Sequence, residues 1–127
     1  KNDNNDKKIT NEKCELNCQW EYNEKQLTLV FKSSNNNEMG RITNRAEFEI
    51  YKSEVKIIRI ENGIEIIGEN AFHGDISLQS VSGNPQIISD EAFSFCSNLT
   101  TFNFEQVSSI GKKAFQYSGL KKIKFGL

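Results

Sequence analysis

The chain has 127 residues, 36% of them hydrophobic and 26% charged, with a formal net charge of -1. That length bounds it to one small domain with a moderate core, and a pI near 5.9 argues against nucleic acid as its partner. No run approaches the roughly 20 apolar residues that a membrane-crossing helix needs. No signal peptide opens the sequence, yet a start at Lys1 fits a removed leader and does not argue for the cytosol.

Residues 1–13, KNDNNDKKITNEK, carry little to bury and are expected to be a disordered leader. Residues 14–54 read as an N-terminal cap. Within them Leu16, Cys18, Trp20 and Tyr22 alternate with polar residues, NEKQ interrupts, and Leu27, Leu29 and Phe31 alternate again, which predicts a β-hairpin. Glu47 to Tyr51 is expected to add a short strand, and Trp20, Phe31 and Phe48 to shield the first repeat. Cys14 and Cys18 are four apart: a bend would let them bridge, a straight strand would hold them too far apart.

Residues 55–127 repeat about every 21 or 22 positions around an Ala-Phe pair. Ala71-Phe72, Ala92-Phe93 and Ala114-Phe115 follow Ile67-Gly68, Ile88-Ser89 and Ile110-Gly111, and precede Leu78, Leu99 and Leu120. Each Leu opens a pattern with bulky residues three and five places on, such as Phe102 and Phe104, which lie on one face of a strand. A unit with one strand and a tight return cannot close a core alone, so the units must stack. In the return, Ser89 reads as a helix N-cap with Asp90 and Glu91 in the first turn, whereas Lys112 and Lys113 put the unfavourable sign there in the next copy. Burial of a Phe, about 1.5 to 3 kcal/mol, outweighs that charge. The expected fold is therefore α/β and strand-rich, with short parallel strands, single-turn helices and an N-terminal hairpin cap.

The pattern L-x-x-[IVF]-x-[IF] … I-[GS]-x-x-A-F resembles the BspA-like leucine-rich repeats of bacterial and protist surface proteins, over about 55–127. Asp75, Cys96 and Ser118 stand where that family often has a small residue, commonly Cys, and Gly63, Gln86 and Val107 stand where ordinary leucine-rich repeats place Asn. The resemblance implies a leucine-rich repeat solenoid and a role in adhesion to host or matrix proteins at the cell surface or outside the cell. The alternative is an intracellular scaffold of the same fold that binds a cellular partner.

Catalytic chemistry finds little to rest on. His73 follows Phe72 in a turn, Glu65, Glu69, Asp90 and Glu91 read as exposed acids on returns, and three scattered Cys with one His do not make a zinc site. No enzyme activity and no cofactor are expected. Cys96 reads as a small buried filler before Leu99, and the sequon Asn98-Leu99-Thr100 surrounds a residue expected to be buried. The expected partner is a protein, met by a ribbon of outward side chains on the strands: Ile57 and Arg59, Ser80 and Ser82, Thr101 and Asn103, Lys122 and Lys124. The acids between Glu61 and Gly111 and the lysines after it suggest either a docking surface for an acidic partner, head-to-tail association through the C-terminal repeat, or a solvated lysine face.

Overall fold

The computed structural model describes residues 8–35, 38–42 and 47–120. Its strands are β1 (Lys8–Lys13), β2 (Glu15–Leu16), β3 (Cys18–Asn23), β4 (Thr28–Ser33), β5 (Gly40–Ile42), β6 (Ile57–Ile60), β7 (Ile64–Ile67), β8 (Ser80–Ser82), β9 (Ile87–Ile88), β10 (Thr101–Phe102) and β11 (Ser109–Ile110). They form a six-stranded sheet, β1-β3-β4-β6-β8-β10, and a five-stranded sheet, β11-β9-β7-β5-β2. From β4 onward the neighbours in the first sheet are parallel, as are β5, β7, β9 and β11 in the second. Each coil thus contributes one strand to each sheet and closes through a run of turns carrying Ala-Phe.

Three expectations change. Each repeat holds two strands where one was expected, because β9 and β11 are two residues long and two residues show no alternation. The returns are not single-turn helices, and the described residues hold no α-helix. In the return, alternate amides bond to the next coil: Asn70 to the Asp90 carbonyl (3.1 Å), Phe72 to Ala92 (2.8 Å) and Gly74 to Ser94 (2.9 Å), repeated by Glu91 to Lys112, Phe93 to Ala114 and Phe95 to Gln116. The amides between them, of Ala71, His73 and Asp75, bond three residues back. A helix would direct every amide along its own axis and leave none to join the coils. The left-handed φ of Asn70 (57°), Glu91 (55°) and Lys113 (56°) sets this alternation. Ser89 caps no helix, and Lys112 and Lys113 oppose no dipole; Asp90 Oδ1 instead accepts the Lys112 amide at 2.8 Å. Glu47–Tyr51, expected as a strand, is a 3-10 helix.

The N-terminal region also differs. Lys8–Lys13, expected within a disordered leader, pairs antiparallel with β3. Residues 1–7 and the strand expected after Leu120 lie outside the described residues. The hairpin of β3 and β4 is present, but Leu16 has left it for β2 in the other sheet and is exposed. The bend falls at Asn17, φ 47°, which brings Cys14 and Cys18 to a Cα separation of 5.3 Å and allows their disulfide. β4 already runs parallel to β6 in register, so the parallel pairing begins before residue 55.

The core is a column of rings. Phe72 and Phe93 stack at 5.3 Å, Phe93 and Phe115 at 5.3 Å, and Phe48 of the 3-10 helix continues the column at 5.4 Å from Phe72. Phe72 and Phe93 are fully buried, as are Ile58, Ile67, Leu78, Ile88 and Leu99 around them. Trp20 and Phe31 meet Phe48 edge-on at the start of the column. Tyr22 stacks on Tyr51 and donates to Glu54 Oε1 at 2.8 Å; burial and that carboxylate push its phenol above the usual range. Cys96 is buried, as expected, and its thiol donates to the Phe72 carbonyl. Burial, with the nearby Asp75, pushes it up to about 12.

Removing one ring from the column leaves a cavity that its neighbours cannot fill, so Phe93→Ala should cost about 3 to 5 kcal/mol in urea unfolding. A Cβ on Gly83 would lie 2.1 Å from the Ile60 carbonyl oxygen, whereas one on Gly74 meets nothing. Both have positive φ, so Gly74→Ala should cost only the backbone strain of about 1 kcal/mol, and Gly83→Ala clearly more, in the same measurement. The native Cys96 thiol holds its proton where the unfolded one, at 9.0, releases it. Stability from this group is whole below pH 9 and falls by up to about 1.4 kcal/mol per pH unit between there and about pH 12. Urea midpoints between about pH 9 and 10 should lose most of that slope in Cys96→Ala.

Candidate functional site

The first sheet turns alternate residues inward and outward. Ile58, Ile60 and Val81 enter the core, which leaves Ile57, Arg59, Ser80, Ser82 and Thr101 outward in register: Ile57 opposite Ser80 and Ser80 opposite Thr101, Arg59 opposite Ser82. Asn103 follows β10 on the same side but is partly used within the fold, its amide donating to the Gly83 carbonyl and Asn84 Oδ1, both at 3.0 Å. Lys122 and Lys124, the last pair expected in this ribbon, lie outside the described residues. On β4 the equivalents Thr28 and Val30 are buried between β3 and β6, so the accessible stripe starts at β6.

Arg59 and Ser82 stand on the wall of a depression of about 620 Å³ that also takes in Lys32, Ser33, Glu61 and Asn62. Its cations are each near an acid: Lys32 Nζ is 3.1 Å from Glu21 Oε1 and Arg59 Nε 4.0 Å from Glu61 Oε2. These pairs are exposed enough for water to screen them, so a partner carboxylate can exchange for either acid at little cost. No aromatic side chain lines the depression.

The turn side carries rings that the sequence reading did not single out. Phe95 and Tyr117, 45% and 66% exposed, pack at 5.0 Å, and His73 meets Phe95 edge-on at 5.4 Å. Both occupy the position of Gly74, where φ is positive, at 63° and 59°. The signal was present two places after each repeat Phe, but periodicity marks only residues that return unchanged, and this position varies from copy to copy.

His73 Nδ1 meets Ser94 Oγ and lies 3.9 Å from Glu91 Oε1, a grouping of hydrolase-like residue types. The geometry excludes that chemistry. Ser94 is fully buried, its hydroxyl donates to the Glu91 carbonyl, and serine and glutamate face the same ring nitrogen, where a relay needs opposite ones. Among the described residues no group of three metal-binding side chains occurs, and no helix is long and apolar enough to cross a membrane.

The family model described as BspA type leucine rich repeat region (6 copies) matches residues 28–126, which begins at β4, where the parallel coils begin. Among solved structures the chain is similar to a leucine rich cell surface protein from Faecalibacterium prausnitzii A2-165, at 22% identity and a TM-score of 0.56, over 86% of this chain and 34% of that one. It is also similar to a leucine-rich repeat protein from Eubacterium ventriosum ATCC 27560, at 18% identity and a TM-score of 0.61, over 91% of this chain and 37% of that one. The chain thus spans about a third of the length of these proteins, and at such identity they share its fold alone. Comparison with curated proteins returns no match. With more than half its length matched and the stacked parallel coils in place, the chain belongs to the BspA-type leucine-rich repeat family.

Proposed function

We propose that this module is a non-catalytic protein-binding element of a surface or secreted protein, and that it meets a host or matrix protein through Ile57, Arg59, Ser80, Ser82, Thr101 and Asn103, with Lys122 and Lys124 continuing the ribbon. The observation that carries this reading is the register: side chains from three adjacent strands are held outward on one hydrogen-bonded sheet. A face so ordered in advance loses little entropy on docking. The bonded Cys14 and Cys18 fit an oxidising compartment, and one solved protein of the same fold is described as a cell surface protein.

Surface plasmon resonance against a panel of purified extracellular-matrix proteins tests this. At least one should bind saturably, and Arg59→Glu should weaken it by about ten-fold, because a charge of the wrong sign within the stripe must be desolvated. No binding across the panel, or binding unchanged by Arg59→Glu, rejects the assignment.

A further inference from the structure

At the corner between the two sheets, three successive coils expose polar side chains into one cleft of about 350 Å³. Glu61, Asn62 and Glu65 come from the turn joining β6 to β7 and from β7 itself, Asn84 and Gln86 from that joining β8 to β9, and Gln106 from that joining β10 to β11. The corner is braced from behind: Asn103 ties its own coil to Gly83 and Asn84, its Oδ1 accepts the Glu105 amide at 3.0 Å, and the Gln86 amide donates to the Glu65 carbonyl at 2.9 Å. In contrast, the side chains of Asn62, Glu65, Gln86 and Gln106 make no hydrogen bond or ion pair among the described residues.

We propose that this cleft binds a neutral oligosaccharide laid along the stack, about one sugar ring to each coil. Amide and carboxylate groups supply paired donors and acceptors that match neighbouring sugar hydroxyls. No lysine or arginine lines the cleft, and two glutamates do, so sulfated, phosphorylated or uronic sugars are repelled. Coils follow one another at about 4.8 Å, near the advance per ring of a β-1,4-linked chain, so each coil meets one ring even though alternate rings are turned over. The cleft shares Glu61 and Asn62 with the depression beside the ribbon, and the ribbon touches it where Arg59 nears Glu61 and Asn103 donates to Asn84.

Titration of the isotopically labelled chain with cellotetraose and chitotetraose, followed through side-chain amide resonances and by calorimetry, tests the proposal. The amides of Asn62, Gln86 and Gln106 should shift saturably with at least one sugar, and an oligo-glucuronate should not compete. The double variant Gln86→Ala, Gln106→Ala should weaken binding by about ten-fold while thermal unfolding stays in place, since both side chains are exposed. Ile57→Glu, on the ribbon but outside the cleft lining, should leave sugar affinity as it was, which separates this site from the ribbon. No saturable shift up to about 10 mM sugar, shifts that map elsewhere, or a lysine-bearing peptide moving the same resonances where sugars do not, overturns it.

Discussion

The rings of Phe48, Phe72, Phe93 and Phe115 are spaced between 5.3 and 5.4 Å, slightly more than the separation of about 4.8 Å between hydrogen-bonded strands. The two repeats, of rings and of strands, are nearly in step, so a single rise per coil satisfies van der Waals packing inside and hydrogen bonding outside. A phenyl ring has two faces, and each is covered only by the coil before and the coil after. No coil is therefore stable by itself, and the sheets, the turns and the surfaces they present all depend on this contact being renewed at each step.

The turn side shows how far the backbone adapts to keep that contact. Asn70, Glu91 and Phe95 take left-handed conformations that cost L-residues energy, yet each places an amide where the neighbouring coil's carbonyl can receive it. Closure at the corners is met differently. Gly83 lets the chain pass within a distance of Ile60 that no side chain would tolerate, and Asn103 supplies by its side chain the hydrogen bonds that the bending backbone gives up. Short strands with braced corners hold polar groups in fixed positions, which is why the surfaces of so small a domain are shaped at all.

Much of the stack was legible because identical residues recur: Ala-Phe, the Leu that follows, and the Ile that precedes are buried in the first two copies, and in the third Ala114 is buried with Ile110, Phe115 and Leu120 partly so. The second sheet was not, because Ile87–Ile88 and Ser109–Ile110 are too short to show a period. The returns resembled helix starts because Ser89, Asp90 and Glu91 are the residue types of an N-cap, and local composition cannot tell whether an amide bonds within its own turn or to the coil beyond. The disulfide hinged on one dihedral angle, at Asn17, that spacing does not encode. Of the ribbon, Ile57, Arg59, Ser80, Ser82 and Thr101 are outward as alternation requires. The corner cleft, made from residues some 20 positions apart with no shared motif, exists only once the coils are superposed.

The direction of the hydrogen bonds has a mechanical consequence. Tension applied along the stack would load the bonds between coils a few at a time at the end, so the molecule would yield by peeling, one coil after another. Shear across the coils would meet many of those bonds at once. At the N-terminal end the Cys14–Cys18 link ties the crossing from β1 through β2 to β3, and a covalent bond there does not peel.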